Sequence, residues 1–476
     1  SVPVEEYKKV QEAFVTGHSG STITELLITA CFLPLSVMWW RTIDKAILSR
    51  VQVKTTTTLT QIVQLAIEFL ALVMPVIVAF TFTSLHWSSF ISILLFSMIL
   101  ILSQKKKPHH AKKKNDDDDK SSSTDIVHDE KIVQRLEQAH KPFISAYRAM
   151  MMLSTMIAIL AVDFVIFPRR FAKTETFGVS LMDMGVGSFV FSSGLVSHYA
   201  REKPSPLLRT LLSSVPLLVL GFVRLASVKA TDYQMHTSEY GVHWNFFFTL
   251  AFVAILVTLL RVPTKLSGLV GLILGVGYQV LLSQFELTDY IMEHPRDSFF
   301  AMNKEGICSV IGYTSIYLIA VQIGNLVFTA TKSTHTDSDV TERAQFWYKF
   351  AYRLLAMDLI FWMIGLYMHF GVQHCSRRMA NLTYVAFTAA YNTFFLALFL
   401  IVDLLLPRER ISLIISSINK NQLALFLIAN LLTGLTNKMI QTIYVPQLEA
   451  FGILVGYMVT VCGIAVLFRR YSLKFW

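Results

Sequence analysis

The chain has 476 residues, of which 54% are hydrophobic and only 16% are charged. Because soluble proteins carry about 25% charged residues, this composition excludes a water-soluble enzyme. The formal net charge of +10 does not indicate nucleic-acid binding, since the basic residues lie in loops between apolar runs, where anionic lipid headgroups are the expected counter-charge. The four cysteines have no paired spacing, which excludes a disulfide scaffold.

Apolar runs recur along the whole sequence, and each is long enough, or nearly so, to cross about 30 Å of hydrocarbon as a helix. They predict an all-α polytopic membrane protein with about 13 transmembrane helices in a single bundle over residues 1–476. The predicted helices span 22–40, 58–82, 86–103, 143–167, 178–198, 206–228, 240–260, 266–284, 307–330, 350–374, 380–405, 421–442 and 447–468.

One charged stretch interrupts this pattern. Residues 104–141 are rich in Lys, Asp and Ser, which predicts a solvated, flexible loop. Lys and Arg are more frequent on the side of the bundle that carries this loop, so the positive-inside rule places the loop in the cytoplasm. The same orientation puts Ser1 on the opposite, luminal side and Trp476 in the cytoplasm.

The densest polar group follows the fourth predicted helix. Asp163 lies in an otherwise uncharged run and is followed by three cations, Arg169, Arg170 and Lys173. Charges at membrane depth are costly, so they are candidates for function. These cations could bind an anion or pair with Asp163 and Asp183. A loop held together by salt bridges alone is the plainer interpretation.

Further polar residues lie at other helix ends. His243 opens the seventh helix, where a histidine is more often a hydrogen-bonding residue than a catalyst. Arg377 and Arg378 precede the eleventh helix on the same predicted side and repeat the Arg-Arg pattern. Asn430 and Gly434 share a helix face, which close helix packing explains as well as ligand binding does. The sequence has none of the common metal-site motifs, and no metal is expected.

Six ordered blocks carry a resemblance to a known family: EAFVTG (12–17), IAILAVDFVIFPRRFAKTETFGVSLMDMGVGSFVF (157–191), TSEYGVHWNFFF (237–248), NKEGICSVIGY (303–313), RRMANL (377–382) and ANLLTGLTN (429–437). They resemble the GPI inositol-acyltransferases of the endoplasmic reticulum. This family is called phosphatidylinositol-glycan class W in animals and GPI-anchored wall transfer protein in fungi. The resemblance extends over nearly the whole chain.

The resemblance implies an enzyme of the endoplasmic reticulum membrane that acts in GPI-anchor biosynthesis. Such an enzyme moves an acyl group, typically palmitoyl, from acyl-CoA (palmitoyl-CoA) to the 2-hydroxyl of inositol in glucosaminyl-phosphatidylinositol. It implies membrane lipids as partners, no nucleic acid, no bound cofactor, and a cavity in the bundle for acyl tails. The motif side is predicted to be luminal, whereas acyl-CoA is made in the cytosol. The donor therefore reaches the cavity from the cytosolic leaflet, or the orientation is reversed.

Family membership would give the candidate residues specific roles. Asp163 is expected to act as general base, with His243 as the alternative base by analogy with other membrane-bound acyltransferases. Lys173 would stabilise the thioester oxyanion or the departing thiolate. Both substrates carry phosphates, which the four arginines could bind by bidentate hydrogen bonds. The full set of expected substrate-binding residues is Arg169, Arg170, Asp183, Trp244, Asn245, Phe248, Asn303, Lys304, Arg377, Arg378, Asn381, Asn430 and Asn437.

A different class of function uses the same features. A polytopic lipid or solute transporter, or a flippase, would also place charged residues at membrane depth, as part of a coupling pathway. Such a protein should show paired broken helices in both halves, and the sequence offers only the Arg-Arg repeat. Conversion of labelled acyl-CoA into an acylated inositol lipid separates the two functions.

Overall fold

Helices form most of the chain in the computed structural model, which describes residues 4–45, 58–105, 118–138, 140–203, 206–231, 237–333, 339–407 and 411–471. The helices are α1 (Val4–Val15), α2 (Ile23–Ile43), α3 (Thr58–Glu68), α4 (Met74–Thr81), α5 (His86–Lys105), α6 (Asp118–Leu136), α7 (Pro142–Ala161), α8 (Leu181–Leu195), α9 (Leu207–Thr231), α10 (Thr237–Tyr240), α11 (Phe246–Leu260), α12 (Ser267–Gln284), α13 (Leu287–Glu293), α14 (Phe299–Met302), α15 (Lys304–Ser333), α16 (Val340–Gly371), α17 (Leu382–Leu405), α18 (Leu413–Lys420), α19 (Gln422–Met439) and α20 (Gln447–Leu467). A π-helical turn, Phe69–Val73, joins α3 to α4.

The number and length of the apolar helices confirm an all-α polytopic membrane protein. Among the described residues, nine helical stretches are long and apolar enough to cross a membrane, and three shorter apolar helices accompany them. Every predicted span overlaps an observed helix, with α3 and α4 together forming the second span. The sequence therefore located the apolar helices, although fewer of them reach full membrane length than predicted.

Helix ends differ from the prediction where a polar side chain stops or starts the helix. Helix α7 ends at Ala161, so residues 162–167 form a turn rather than a last helical turn. Helix α8 begins only after Ser180, whose hydroxyl accepts a hydrogen bond from the backbone N–H of Asp183. Asn245 caps α11 in the same way. These caps satisfy backbone N–H groups that have no partner inside the helix.

The charged segment 104–141 was predicted to be a loop, and the structure differs. Residues 106–117 lie outside the described chain, but residues 118–136 form helix α6. Ile132 and Leu136 are one helical turn apart and fully buried, and α6 packs against α16. Arg135 of α6 pairs with the buried Asp403 of α17 at 3.2 Å. The hydrophobic pair and the ion pair hold α6 on the bundle despite its charged composition.

Helices α15 and α17 occupy the centre of the bundle. Most of their residues are buried, and α17 packs against α7, α8 and α16. Helix α15 packs against α8 and α12. Gly312 allows α15 to lie directly against the segment before α17, because a Cβ at this position would collide with the carbonyl oxygen of Ala380. One hydrophobic core extends from α2 to α20.

The connections at one end of the bundle pack together into what we call the loop layer: segments 16–21, 162–180, 237–245, 294–303 and 372–381. Backbone contacts tie these segments to one another. Gly20 and Val179 form an isolated parallel bridge. The Gly178 N–H donates to the Cys375 carbonyl at 2.8 Å, and the Val242 N–H donates to the Met302 carbonyl at 2.9 Å. Five of the six sequence blocks, those from 12 to 382, therefore contribute to one surface.

Candidate active site

A cavity of about 540 Å³ lies inside the bundle and is open to residues of the loop layer. Tyr147 and Val162 both line it, so the cavity follows α7 for about 22 Å at about 1.5 Å per residue. This length exceeds one leaflet of hydrocarbon, which is about 15 Å thick. Its wall away from the loop layer is largely apolar and includes Leu33, Met151, Phe395 and Phe399. The length and the lining suit a long aliphatic chain.

A turn after α7 holds Asp163 at the cavity wall. The Arg169 guanidinium fixes this turn by donating to the carbonyl oxygens of Phe164 and Phe167, each at 3.0 Å. The same guanidinium lies 3.9 Å from the centre of the Phe14 ring of α1. Arg169 therefore stabilises the turn that carries Asp163 and is not part of the cavity lining.

The Asp163 carboxylate is half-buried and lines the cavity. Its Oδ2 accepts a hydrogen bond from Asn437 Nδ2 of α19 at 2.7 Å. Burial raises the pKa of Asp163 to about 6, while the Asn437 hydrogen bond and the charge of Arg169 oppose that rise. The carboxylate is thus ionised at neutral pH yet basic enough to accept a proton. A pKa near the working pH is what a general base requires.

Lys173 belongs to a network of charges at the same end of the cavity. Its Nζ lies 2.6 Å from Glu239 Oε1, and both residues line the cavity. Arg377 reaches the same oxygen at 3.3 Å and binds Asp183 Oδ1 at 2.7 Å. Asp183 Oδ2 also accepts hydrogen bonds from the backbone N–H and the hydroxyl of Thr174. Lys173 and Arg377 are therefore each paired with a carboxylate, and Arg377 and Asp183 are buried.

The charges in this network fix the protonation state of Glu239. Burial by itself would raise the pKa of this carboxyl, but Lys173 and Arg377 outweigh it and lower the pKa to about 2. Glu239 is therefore ionised throughout the physiological range. It holds the Lys173 ammonium in place at the cavity wall.

His243 lies elsewhere in the loop layer. Its backbone N–H donates to Asn303 Oδ1 at 2.8 Å, and its ring stacks on Phe299 with the planes 12° apart. It is not among the residues that line the cavity, whereas Asp163 is. The geometry favours Asp163 over His243 as a base acting inside the cavity.

Two other predicted phosphate-binding arginines are held by carboxylates outside the cavity lining. Arg170 is exposed and binds Glu25 of α2, with Nε–Oε distances of 2.8 and 2.9 Å. Arg378 donates to the buried Glu305 at 2.8 Å, and Arg296 binds the same carboxylate. The arginines predicted to bind phosphate thus already have partners within the protein.

The remaining predicted residues divide into cavity-lining and structural positions. Trp244, Asn245, Asn430 and Asn437 line the cavity. Phe248 packs against Gly221 and Phe222 of α9 and is not part of the lining. Three others make structural hydrogen bonds: Asn381 caps α17, Asn303 donates to the Phe299 carbonyl, and Lys304 donates to the Tyr290 carbonyl.

The structure adds residues that sequence reasoning missed. Tyr147 and Asn392 both line the cavity far from the loop layer, and the Tyr147 hydroxyl donates to Asn392 Oδ1 at 2.6 Å. Gln11, Phe14 and His18 bring the end of α1 and its following loop to the cavity wall. The only sequence signal for the first pair is a polar residue within an apolar helix.

This arrangement defines a polytopic membrane protein with a charged site at one end of an internal apolar cavity. The chain belongs to the GWT1 family, whose model matches residues 7–468. It is 34% identical to the phosphatidylinositol-glycan biosynthesis class W protein of Dictyostelium discoideum, with the match covering 99% of this chain and 100% of that protein. It is 40% identical to GPI-anchored wall transfer protein 1 of Yarrowia lipolytica, over 72% of this chain and 76% of the relative. It is 35% identical to the protein of the same name in Aspergillus fumigatus, over 98% and 99%.

Proposed function

We propose that this protein is an acyl-CoA-dependent O-acyltransferase of GPI-anchor biosynthesis. It moves a palmitoyl-type group from acyl-CoA to the inositol 2-hydroxyl of glucosaminyl-phosphatidylinositol in the endoplasmic reticulum membrane, with the N-terminus luminal. The observation that carries the proposal is that Asp163 and Lys173 both lie on the wall of one long, largely apolar cavity. The relative named for phosphatidylinositol-glycan biosynthesis supports the glycolipid acceptor.

The proposed reaction is direct acyl transfer. Asp163 removes the proton from the inositol 2-hydroxyl as the oxygen attacks the thioester carbonyl. The Lys173 ammonium stabilises the negative charge that develops on the carbonyl oxygen. Collapse of the tetrahedral intermediate forms the new ester and breaks the C–S bond, and the CoA thiolate takes the proton from Asp163. The reaction therefore consumes no oxidant and leaves the protein unchanged.

The apolar cavity has a separate role in the proposal. The acyl chain of the donor lies along α7, so its thioester is held beside the loop layer rather than free in the bilayer. Holding both reacting groups in one place converts a bimolecular encounter into an intramolecular step. Since water competes with the inositol hydroxyl as an acyl acceptor, an apolar wall also protects the thioester from hydrolysis.

The test is acyl transfer by the purified full chain from labelled palmitoyl-CoA to a glucosaminyl-phosphatidylinositol analogue. Asp163→Asn should lower kcat by about 10²- to 10⁴-fold, the range for loss of a general base. Lys173→Met should lower it by about 10²- to 10³-fold, as for loss of an oxyanion donor. Arg170→Gln is the matched control, because this cation binds Glu25 outside the cavity lining.

The same assay separates the alternatives. Near-normal activity of Asp163→Asn together with inactive His243→Ala would assign the base to His243. Absence of any acylated product from the wild-type protein would instead favour the transporter class, in which the cavity carries a lipid without chemistry.

A further inference from the structure

The end of the bundle opposite the loop layer contains two half-buried arginines, Arg148 and Arg201, with no carboxylate partner among the described residues. Arg148 lies on α7, about 20 Å along the helix from its last residue, Ala161, at about 1.5 Å per residue. Arg201 lies in the turn that follows α8, the helix whose Ser192 binds Arg148. At the loop layer, by contrast, Arg377 and Arg378 are each paired with a carboxylate.

Arg148 is held by neutral groups only. Its Nε donates to Ser192 Oγ of α8 at 3.1 Å, and its Nη2 donates to Gln422 Oε1 of α19 at 2.9 Å. The Gln422 amide is oriented by its own donation to Asn419 Oδ1 at 3.2 Å. These bonds use two of the five N–H donors of a guanidinium. The side chain is therefore fixed in position while its charge is not neutralised.

Arg201 is positioned differently. Its guanidinium carbon lies 4.7 Å from the centre of the Phe328 ring of α15, and its Nε is buried without a hydrogen-bond partner in the described chain. A buried donor without a partner is costly, so a ligand that accepts its hydrogen bond would be stabilising.

We propose that Arg148 and Arg201 form a binding site for a phosphate-bearing ligand, next to the end of the cavity that is far from Asp163. Two guanidinium groups are suited to phosphate because each offers a planar pair of N–H donors. A carboxylate built into the site would have neutralised these cations, whereas Ser192 and Gln422 orient one of them and leave its charge available. Tyr147 and Ser188, which neighbour Arg148 and Ser192 in their helices, both line the cavity.

Two sources can supply this phosphate. One is the nucleotide of the acyl donor, in which case the inference rests on the proposed acyltransferase function, and the pantetheine arm runs back from the thioester at Lys173 beside the acyl chain in the same cavity. In the predicted orientation this end faces the cytoplasm, so a cytosolic donor would bind without moving its phosphates across the membrane. The other source is the headgroup of an anionic phospholipid in the adjoining leaflet.

The test measures two kinds of binding to the purified full chain. The affinity for coenzyme A is measured by titration in detergent, and retention of phosphatidylinositol is measured by native mass spectrometry after release from nanodiscs. The variants are Arg148→Gln, Arg201→Gln and Arg148→Lys. The control is Arg209→Gln, which removes an exposed cation from the first turn of α9 at the same end. Thermal unfolding verifies that each variant is folded, and Arg201→Gln carries the test if Arg148→Gln does not fold.

The proposal predicts that one of the two ligands is lost. A decrease of tenfold or more in coenzyme A affinity in both Gln variants, with partial retention in Arg148→Lys, identifies the donor nucleotide. Unchanged coenzyme A affinity with loss of bound phosphatidylinositol identifies a lipid headgroup. Binding of both ligands at the level of Arg209→Gln, or of neither ligand by the wild type, overturns the proposal. If acyl transfer fails while the arginine-dependent binding persists, only the proposed function is wrong.

Discussion

Asn437 Nδ2 donates a 2.7 Å hydrogen bond to Asp163 Oδ2 and so links the end of α19 to the turn after α7. This bond stabilises the ionised carboxylate, since an amide N–H favours the charged form of its acceptor. It acts against burial, which raises the pKa of Asp163 to about 6. The balance between the two effects sets the pH at which this carboxylate becomes a base.

Removing the Asn437 amide should therefore shift the pH dependence of acyl transfer. In Asn437→Ala the pKa of Asp163 rises further, so more of the enzyme is protonated and inactive at mildly acidic pH. The acid limb of kcat/KM, expected near pH 6 in the wild type, should move to higher pH. Asn430→Ala is the control, because Asn430 also lines the cavity but donates to the Phe426 carbonyl of its own helix. If the acid limb of kcat/KM lies at the same pH in the two variants, the role of Asn437 is contradicted.

Glu239→Gln should lower the thermal stability of the protein, because Lys173 and Arg377 lose the carboxylate that they share. The pKa of Glu239 falls from its ordinary value of 4.5 to about 2 in the folded state, so the stabilisation is complete above pH 4.5 and is lost as the pH falls through 2. The difference in Tm between variant and wild type should be the same at about pH 6 and about pH 7. A difference that already shrinks between these two values would show that another group is responsible.

Gly185→Leu should obstruct the cavity without disturbing the fold. Gly185 lies in α8 and lines the cavity, and a Cβ at this position meets open space. Replacing a helical glycine removes a cost of about 1 kcal/mol, so the variant should be at least as stable as the wild type. Activity with palmitoyl-CoA should fall tenfold or more, while shorter acyl donors should be affected less.

Two further variants define the specificity of that effect. Gly452→Leu places the same side chain on α20, at a position where a Cβ also meets open space but which does not line the cavity. This variant should retain full activity. Gly187→Ala should destabilise, because its Cβ would lie 2.6 Å from the Thr388 side chain. Equal activity of Gly185→Leu with long and short donors would argue against an acyl chain at this position.

Asp403→Asn should destabilise the bundle strongly. The Asp403 carboxylate is fully buried between Arg41 of α2 and Arg135 of α6, so its neutralisation leaves two buried cations without a counter-charge. Breaking a buried ion pair from one side costs about 3–5 kcal/mol. Thermal unfolding in detergent should show a large decrease in Tm for Asp403→Asn and a smaller one for Arg135→Gln. A Tm within experimental error of the wild type would mean that water reaches this site.

The sequence predicted the helices well because apolar length is a direct physical requirement of the bilayer. It failed at α6, where the composition of the charged segment concealed Ile132 and Leu136, which are spaced one helical turn apart and bury against the bundle. It also overestimated α7 by six residues, since Asp163 and its neighbours form a turn that depends on Arg169. Such a turn is determined by contacts that a hydropathy pattern does not contain.

The candidate site was predictable in part. The sequence predicted Asp163 and Lys173 as site residues because they are charges beside an apolar run, and both line the cavity. The partners of Arg377 could not be predicted, because its bond to Asp183 joins residues 194 positions apart and depends on how the helices pack. From sequence alone, a cation that binds substrate and a cation that binds a distant carboxylate look the same. Tyr147 and Asn392 were missed for the same reason.

The bond between Asp163 and Asn437 joins residues 274 positions apart, and Arg377 reaches Asp183 and Glu239 from almost as late in the chain. During synthesis, the first of each pair therefore enters the membrane long before its partner exists. The nascent chain holds costly charges at membrane depth until translation of α19 is complete. Biogenesis is thus expected to depend on insertion factors that keep these charged residues away from lipid until their partners are made. Chains stalled before α17 should be degraded rapidly rather than accumulate.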